Sequence, residues 1–138
     1  MSTSIARQQW VENAVSAFRL HFIACGWNVP DNVRISVGIP KYSGHVKAVG
    51  QCWPVEASSD GYYEIFCSPE QGTEEMHLET IAHELVHATV GTAAGHKGEF
   101  RACALAIGFE SPMTTTPAGD RMKAAIKAII NSIGYYPA

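Results

Sequence analysis

The sequence predicts an α+β fold in one domain over residues 1–138: an N-terminal helix, a three-stranded sheet, then three helices. Three observations lead there. Apolar residues recur at helical spacing near both ends and again after residue 73; short runs bounded by Gly, Pro and Asp lie between; and helices and strands do not alternate. With 138 residues, 46% of them hydrophobic, the chain can bury one core, and no repeat or Pro/Ser-rich linker divides it.

The first helix is expected from about Ser4 to Cys25, with Val11, Ala14, Val15, Phe18, Phe22 and Cys25 as its core stripe and Gly26 as its stop. His21 falls on the rim of that stripe. Val33–Ile39 reads as the first strand, ended by Pro40, and a polar loop with Gly44 and His45 follows. Ala48–Trp53 reads as the second strand. Ser58-Ser59-Asp60-Gly61 is a hairpin turn into the third, Tyr62–Ser68. Thr73 then offers an N-cap, Glu74 and Glu75 suit the positive end of a helix dipole, and Leu78, Ile81, Ala82 and Leu85 give the helix a core face. Gly91 and Gly95 let the chain turn back into a helix packed through Phe100, Cys103, Ala104 and Ile107. The polar, proline-bounded segment Glu110–Gly119 is either a wall of a cleft or a plain connector. Asp120 is the expected N-cap of the last helix, which has Met122, Ala125, Ile126, Ile129 and Ile133 inward and ends at Gly134.

The most informative string is His83-Glu84-Leu85-Val86-His87. Residues i and i+4 share a helix face, so two imidazoles can meet one ion, at the distance of about 2.0–2.1 Å that zinc prefers. Glu84, one residue further round, is placed to reach a water rather than the metal. With 6 His in 138 residues, such a string arises by chance roughly 0.02 times in a chain of this composition. The competing reading is a surface helix with two solvated histidines. A third protein ligand would leave one position open, the mark of a catalytic rather than a structural zinc site.

Four histidines remain for that third place. His77 lies a turn and a half before His83 and points elsewhere. His21 belongs to the first helix, and His45 sits in a loop that nothing directs to the site. His96 follows Gly95 where the chain turns back, so it faces the His83/His87 pair. It is the expected ligand.

HELVHATV followed by GHKGEF resembles the SprT-like metallopeptidases, the family of the Spartan-type DNA–protein crosslink proteases and of many short phage and bacterial proteins. In that family the metal helix carries HExxH, and a G-H-x-x-x-F segment supplies the third ligand; Gly95, His96 and Phe100 match it position by position. The likeness extends upstream through Val33–Ile39, Ala48–Trp53 and Tyr62–Ser68, and covers roughly Val33 to Gly108. It implies a zincin-like minimal domain, a Zn2+ cofactor held by His83, His87 and His96, and a protein or peptide substrate. It also implies peptide hydrolysis by a metal-activated water, with Glu84 as general base. One departure concerns the C-terminal zinc ribbon of paired CxxC motifs that many members carry. Cys25, Cys52, Cys67 and Cys103 are scattered singly, so they build no second zinc site.

Glu79, one turn before His83, is a candidate partner for a ring N–H. Tyr42, Tyr62, Tyr63 and His45 are the candidates for oxyanion support. Cys52 and Cys67 fall in neighbouring strands and read as small apolar fillers.

The net charge is −3, from 10 basic and 13 acidic residues. Arg121, Lys123 and Lys127 form the one local basic cluster, and its simplest reading is a solvated helix face. Weak, salt-sensitive DNA binding at most follows, so a DNA-associated role would need a partner protein or a local patch that the sequence does not reveal. The first residues lack the basic and apolar regions of a signal peptide, and no apolar run approaches membrane-spanning length; a cytoplasmic location without membrane association is the expectation. Two other functional classes stand beside the peptidase. One is a hydrolase of non-peptide amides, separable by a substrate panel. The other is a catalytically silent, zinc-stabilised binding module linked to DNA or transcription; Glu84 argues against it, since a structural site has no use for a base.

Overall fold

Trp10, Val11, Ala14, Val15, Phe18 and Phe22 line one side of helix α1 (Thr3–Ala24) and are all buried. Their spacing keeps them within one helical stripe. Trp10 joins the expected stripe, whereas Cys25, just past the helix end, is half-buried beside His21. The computed structural model describes residues 3–38 and 49–137; Ile39, Pro40, Tyr42, Gly44, His45 and Ala48 of the readings above lie outside them.

The remaining elements are β1 (Val33–Val37), β2 (Gly50–Trp53), β3 (Tyr63–Cys67), α2 (Glu74–Val90), α3 (Glu99–Ile107) and α4 (Asp120–Ile133). The fold is therefore α+β, with four helices and a three-stranded sheet among the described residues. The strand order is β1-β3-β2. β1 runs parallel to β3 with Ile35 opposite Ile65, and β2 runs antiparallel to β3 with Cys52 opposite Ile65 and Gly50 opposite Cys67. Buried Ile35, Ile65 and Cys67 give the sheet its inner face.

The expected hairpin between the second and third strands exists, but its connection also holds a 3-10 turn, Val55–Ala57. Arg34 on β1 ties that connection to the sheet through Asp60, at 3.0 Å, and also pairs with Glu64 on β3. Arg34 and Asp60 are largely solvent-exposed, so these pairs order the connection more than they stabilise the fold.

Helix α2 is the axis of the molecule, packed by α1, α3, α4, β2 and β3. The Thr73 hydroxyl caps it by accepting from the Met76 amide, as its sequence indicates. Its buried residues, Glu84 and His77 included, span somewhat more than half its circumference, while Thr80, His83 and His87 on the opposite side are half-buried. On α3 the buried set is Phe100, Cys103, Ala104 and Ile107, as the periodicity requires. On α4 it is Met122, Ile126 and Ile129, while Ala125 and Ile133 are half-covered. Asp120 is the first helical residue of α4 rather than its cap; Gly119 holds the cap position in an extended conformation without a side-chain bond. All four cysteines are free. Among the described residues no helix is long and apolar enough to cross a membrane.

The end of α2 remote from residues 83–87 is anchored by an aromatic cluster. His77 stacks on Tyr136 at 3.8 Å and meets the edge of Trp10 at 6.0 Å. The Trp10 indole donates to the Gly134 carbonyl, and the Tyr136 hydroxyl to that of Pro69. Burial lowers the His77 pKa, with Glu74 opposing it and Arg7 assisting. A histidine kept neutral in the fold but free to charge in the unfolded chain contributes stability above its unfolded pKa, and that stability is lost as pH falls below it. We therefore expect the metal-free protein to lose urea resistance between pH 7.5 and pH 5, and His77→Gln to remove the His77 share of that loss, the remainder belonging to the buried His83 and His87. An unchanged pH slope in His77→Gln would place the sensitivity elsewhere.

Candidate metal centre

His83 and His87 stand one turn apart on the same face of α2, their ring centroids 5.1 Å apart. The chain leaves α2 at Gly91, makes the short 3-10 turn Thr92–Ala94, and reverses at Gly95. Gly95 has φ 60° and ψ −126°, a conformation that a Cβ would strain. The reversal carries His96 back over the pair. Its Nε2 lies 3.2 Å from His87 Nε2 and 3.3 Å from His83 Nε2. The three nitrogens are close enough to bind one metal ion. His96 precedes α3, which starts at Glu99, so the turn and not the helix places it.

Phe100, fully buried in the first turn of α3, sits behind all three rings with centroid distances of 5.2, 4.5 and 5.0 Å to His83, His87 and His96. Burial and the neighbouring rings hold His83 down to about 3, and burial with His96 holds His87 down to about 4. Both are neutral at physiological pH, the form in which imidazole offers a lone pair to a metal.

The histidines face a cleft of about 740 Å³. α2 forms its floor through Thr80, His83, Glu84 and His87; one wall is Val49–Trp53, and the other includes Thr114, Thr115 and Thr116. The Glu110–Gly119 segment thus lines the cleft as well as connecting two helices. Glu84 points to β2 and is 7% exposed, and burial pushes its carboxyl up to about 8.

Gly50 is what lets β2 lie this close. A Cβ there would stand 2.5 Å from Thr80 Cγ2 and 3.0 Å from Glu84 Oε2. Gly50→Ala should therefore push β2 off α2 and destabilise the fold by about 1–3 kcal/mol, as overpacking does. Adding Thr80→Ala, which removes the nearer clash, should recover part of that loss in urea melts. Equal stability of Gly50→Ala and the parent would mean that the strand has room to move.

The other candidates fall elsewhere. His21 bonds the Ile107 carbonyl at 2.8 Å, against the end of α3. His77 belongs to the aromatic cluster. Tyr62 lies under the Arg34 guanidinium, and neither it nor Tyr63 lines the cleft. Tyr42 and His45 are outside the described residues. Glu79 is a candidate partner for a ring N–H, but His83 Nδ1 is 2.8 Å from Thr116 Oγ1 instead. The sequence places Thr116 only within a possible cleft wall, and its bond to His83 is not foreseen. A polar residue in a threonine run, 33 positions from its partner, carries no local signal.

No family model, curated protein or solved structure matches this chain.

Proposed function

We propose that this protein is a zinc-dependent peptidase of SprT-like, zincin-like type. The observation that carries the reading is the convergence of His83, His87 and His96 beside a carboxylate that is not among the three ligands. Two nitrogens bound at about 2.0–2.1 Å to one tetrahedral zinc lie about 3.3–3.4 Å apart. The Nε2 separations of 3.2 and 3.3 Å fit that spacing. A set of three neutral imidazoles also fits zinc better than the oxygen-preferring magnesium or calcium.

Zinc held there would lower the pKa of a water toward 7 and polarise a substrate carbonyl. The chain's own residues do the rest. Glu84 lines the cleft beside the ligands and would be held ionised by a cation bound there, against the burial that raises its carboxyl pKa. In that form it accepts the proton of the attacking water and passes it to the departing amine nitrogen. Phe100 keeps water from the back of the three rings. The walls at Val49–Trp53 and Thr114–Thr116 leave a cleft of about 740 Å³ over the histidines. A protein or peptide substrate is the reading that the resemblance to the SprT-like peptidases supports. Charge gives DNA little hold: Arg121 is engaged with the Ala106 carbonyl, and Lys123 and Lys127 share their groove with Glu75 and Glu79.

The test is metal content and cleavage of an unfolded protein substrate in parallel. One zinc per chain, cleavage abolished by a chelator and restored by zinc, is the expected result. Zinc uptake without cleavage of any peptide or protein in a broad panel would instead favour a binding module stabilised by its metal.

A further inference from the structure

The loop between α3 and α4 is built to hold one hydroxyl. Its base is closed by a bridge between Phe109 and Ala118, with the Glu110 amide donating to the Pro117 carbonyl at 2.7 Å and the Gly119 amide to the Gly108 carbonyl at 2.8 Å. Met113 is buried and anchors the middle of the loop in the core. The Thr116 amide donates to the Pro112 carbonyl at 2.8 Å, closing a turn inside the loop.

Within this frame Thr116 has φ 41°, the one positive φ at a non-glycine position among the described residues. That conformation is costly for a β-branched side chain, and it persists where surrounding structure imposes it. Thr116 is 3% exposed, in a loop whose Thr114 and Thr115 face solvent. Its hydroxyl oxygen ends 2.8 Å from His83 Nδ1.

A neutral imidazole carries its proton on one nitrogen and a lone pair on the other. His83 turns Nε2 toward His96 and Nδ1 toward Thr116. The partner of Nδ1 therefore decides whether Nε2 is a lone pair or an N–H. We propose that Thr116 is a positioning residue for the metal centre: its hydroxyl accepts the His83 Nδ1 proton, fixing the tautomer and ring orientation that offer Nε2 to the ion. The inference rests on the metal-centre reading. It assigns the strained backbone of the loop a purpose: in this conformation the closed loop delivers the hydroxyl to the ring.

Three variants separate the hydroxyl from the strain. Thr116→Gly relieves the positive φ and removes the hydroxyl. Thr116→Val keeps the side-chain shape without it, and Thr116→Ser keeps the hydroxyl alone. Zinc affinity is read by competition with a chromophoric chelator, and the His83 tautomer by long-range 1H–15N NMR of the metal-free protein. Thr116→Gly and Thr116→Val should each bind zinc about 10–100-fold more weakly, the usual cost of losing an outer partner. Both should shift His83 from the Nδ1–H toward the Nε2–H form, and Thr116→Ser should keep wild-type values in both measurements. Thr116→Gly should still fold without metal, because relief of the positive φ offsets part of the loss of a buried side chain. Unchanged affinity, an unchanged tautomer, or failure of Thr116→Ser to retain either would each overturn the inference while leaving the three-histidine centre intact. If the wild-type protein takes up no zinc, the metal reading fails and this inference with it.

Discussion

Glu84→Gln should keep the fold and the zinc and lose turnover by about 10²–10⁴-fold, the range over which a positioned general base contributes. Glutamine has the same shape, so the contacts with β2 survive. It cannot accept the proton of a water, so the chemistry does not. The measurement pairs metal content with the rate of peptide cleavage. Cleavage at the wild-type rate would remove Glu84 from the proposed mechanism. Loss of zinc with retained fold would make Glu84 a ligand and call for a different base. Because burial disfavours the ionised carboxyl, the amide should also leave the metal-free protein no less stable than the parent.

The second large effect belongs to His96. It lies in a turn outside both helices and contributes little to the core, so His96→Ala should fold. Removing one of three ligands should weaken zinc binding by more than the roughly 100-fold that an outer partner costs. Thermal melting gives a second readout. Zinc supplied at about 100 times its wild-type dissociation constant should stabilise the wild-type protein by about 2.7 kcal/mol and the variant hardly at all. His21→Ala, remote from the centre, is the matching control and should bind zinc normally. Full zinc occupancy in His96→Ala would move the third ligand elsewhere, with His45 the next choice.

Local features of this molecule were legible in its sequence. The stripe of α1, the Thr73 cap and the inward faces of α3 and α4 follow from helical spacing, which is a property of neighbours in the chain. The His83/His87 pair is legible for the same reason, and His96 because the reversal after Gly91 and Gly95 is short. Features that depend on distant segments were not. The insertion of β3 between β1 and β2 is a choice of pairing partners, and short apolar strands specify it weakly. Trp10 is buried by residues more than a hundred positions away, through Gly134 and Tyr136. The exchange of Glu79 for Thr116 as the partner of His83 has the same origin: helical spacing proposes Glu79, and a loop from beyond α3 arrives first. The shift of the last cap from Asp120 to Gly119 is smaller, since both residues suit a helix start.

The two walls of the cleft differ in how much change they can absorb. Gly50 has no room for a single methyl group, and Thr116 is committed to His83. Thr114 and Thr115, in contrast, face solvent from a loop whose base is closed independently of them. For anyone wishing to redesign what the cleft accepts, these two positions form an adjustable jaw set against a fixed one. New side chains there would alter the shape and charge of the opening while the helix carrying the histidines, and the strand pressed against it, stayed in place.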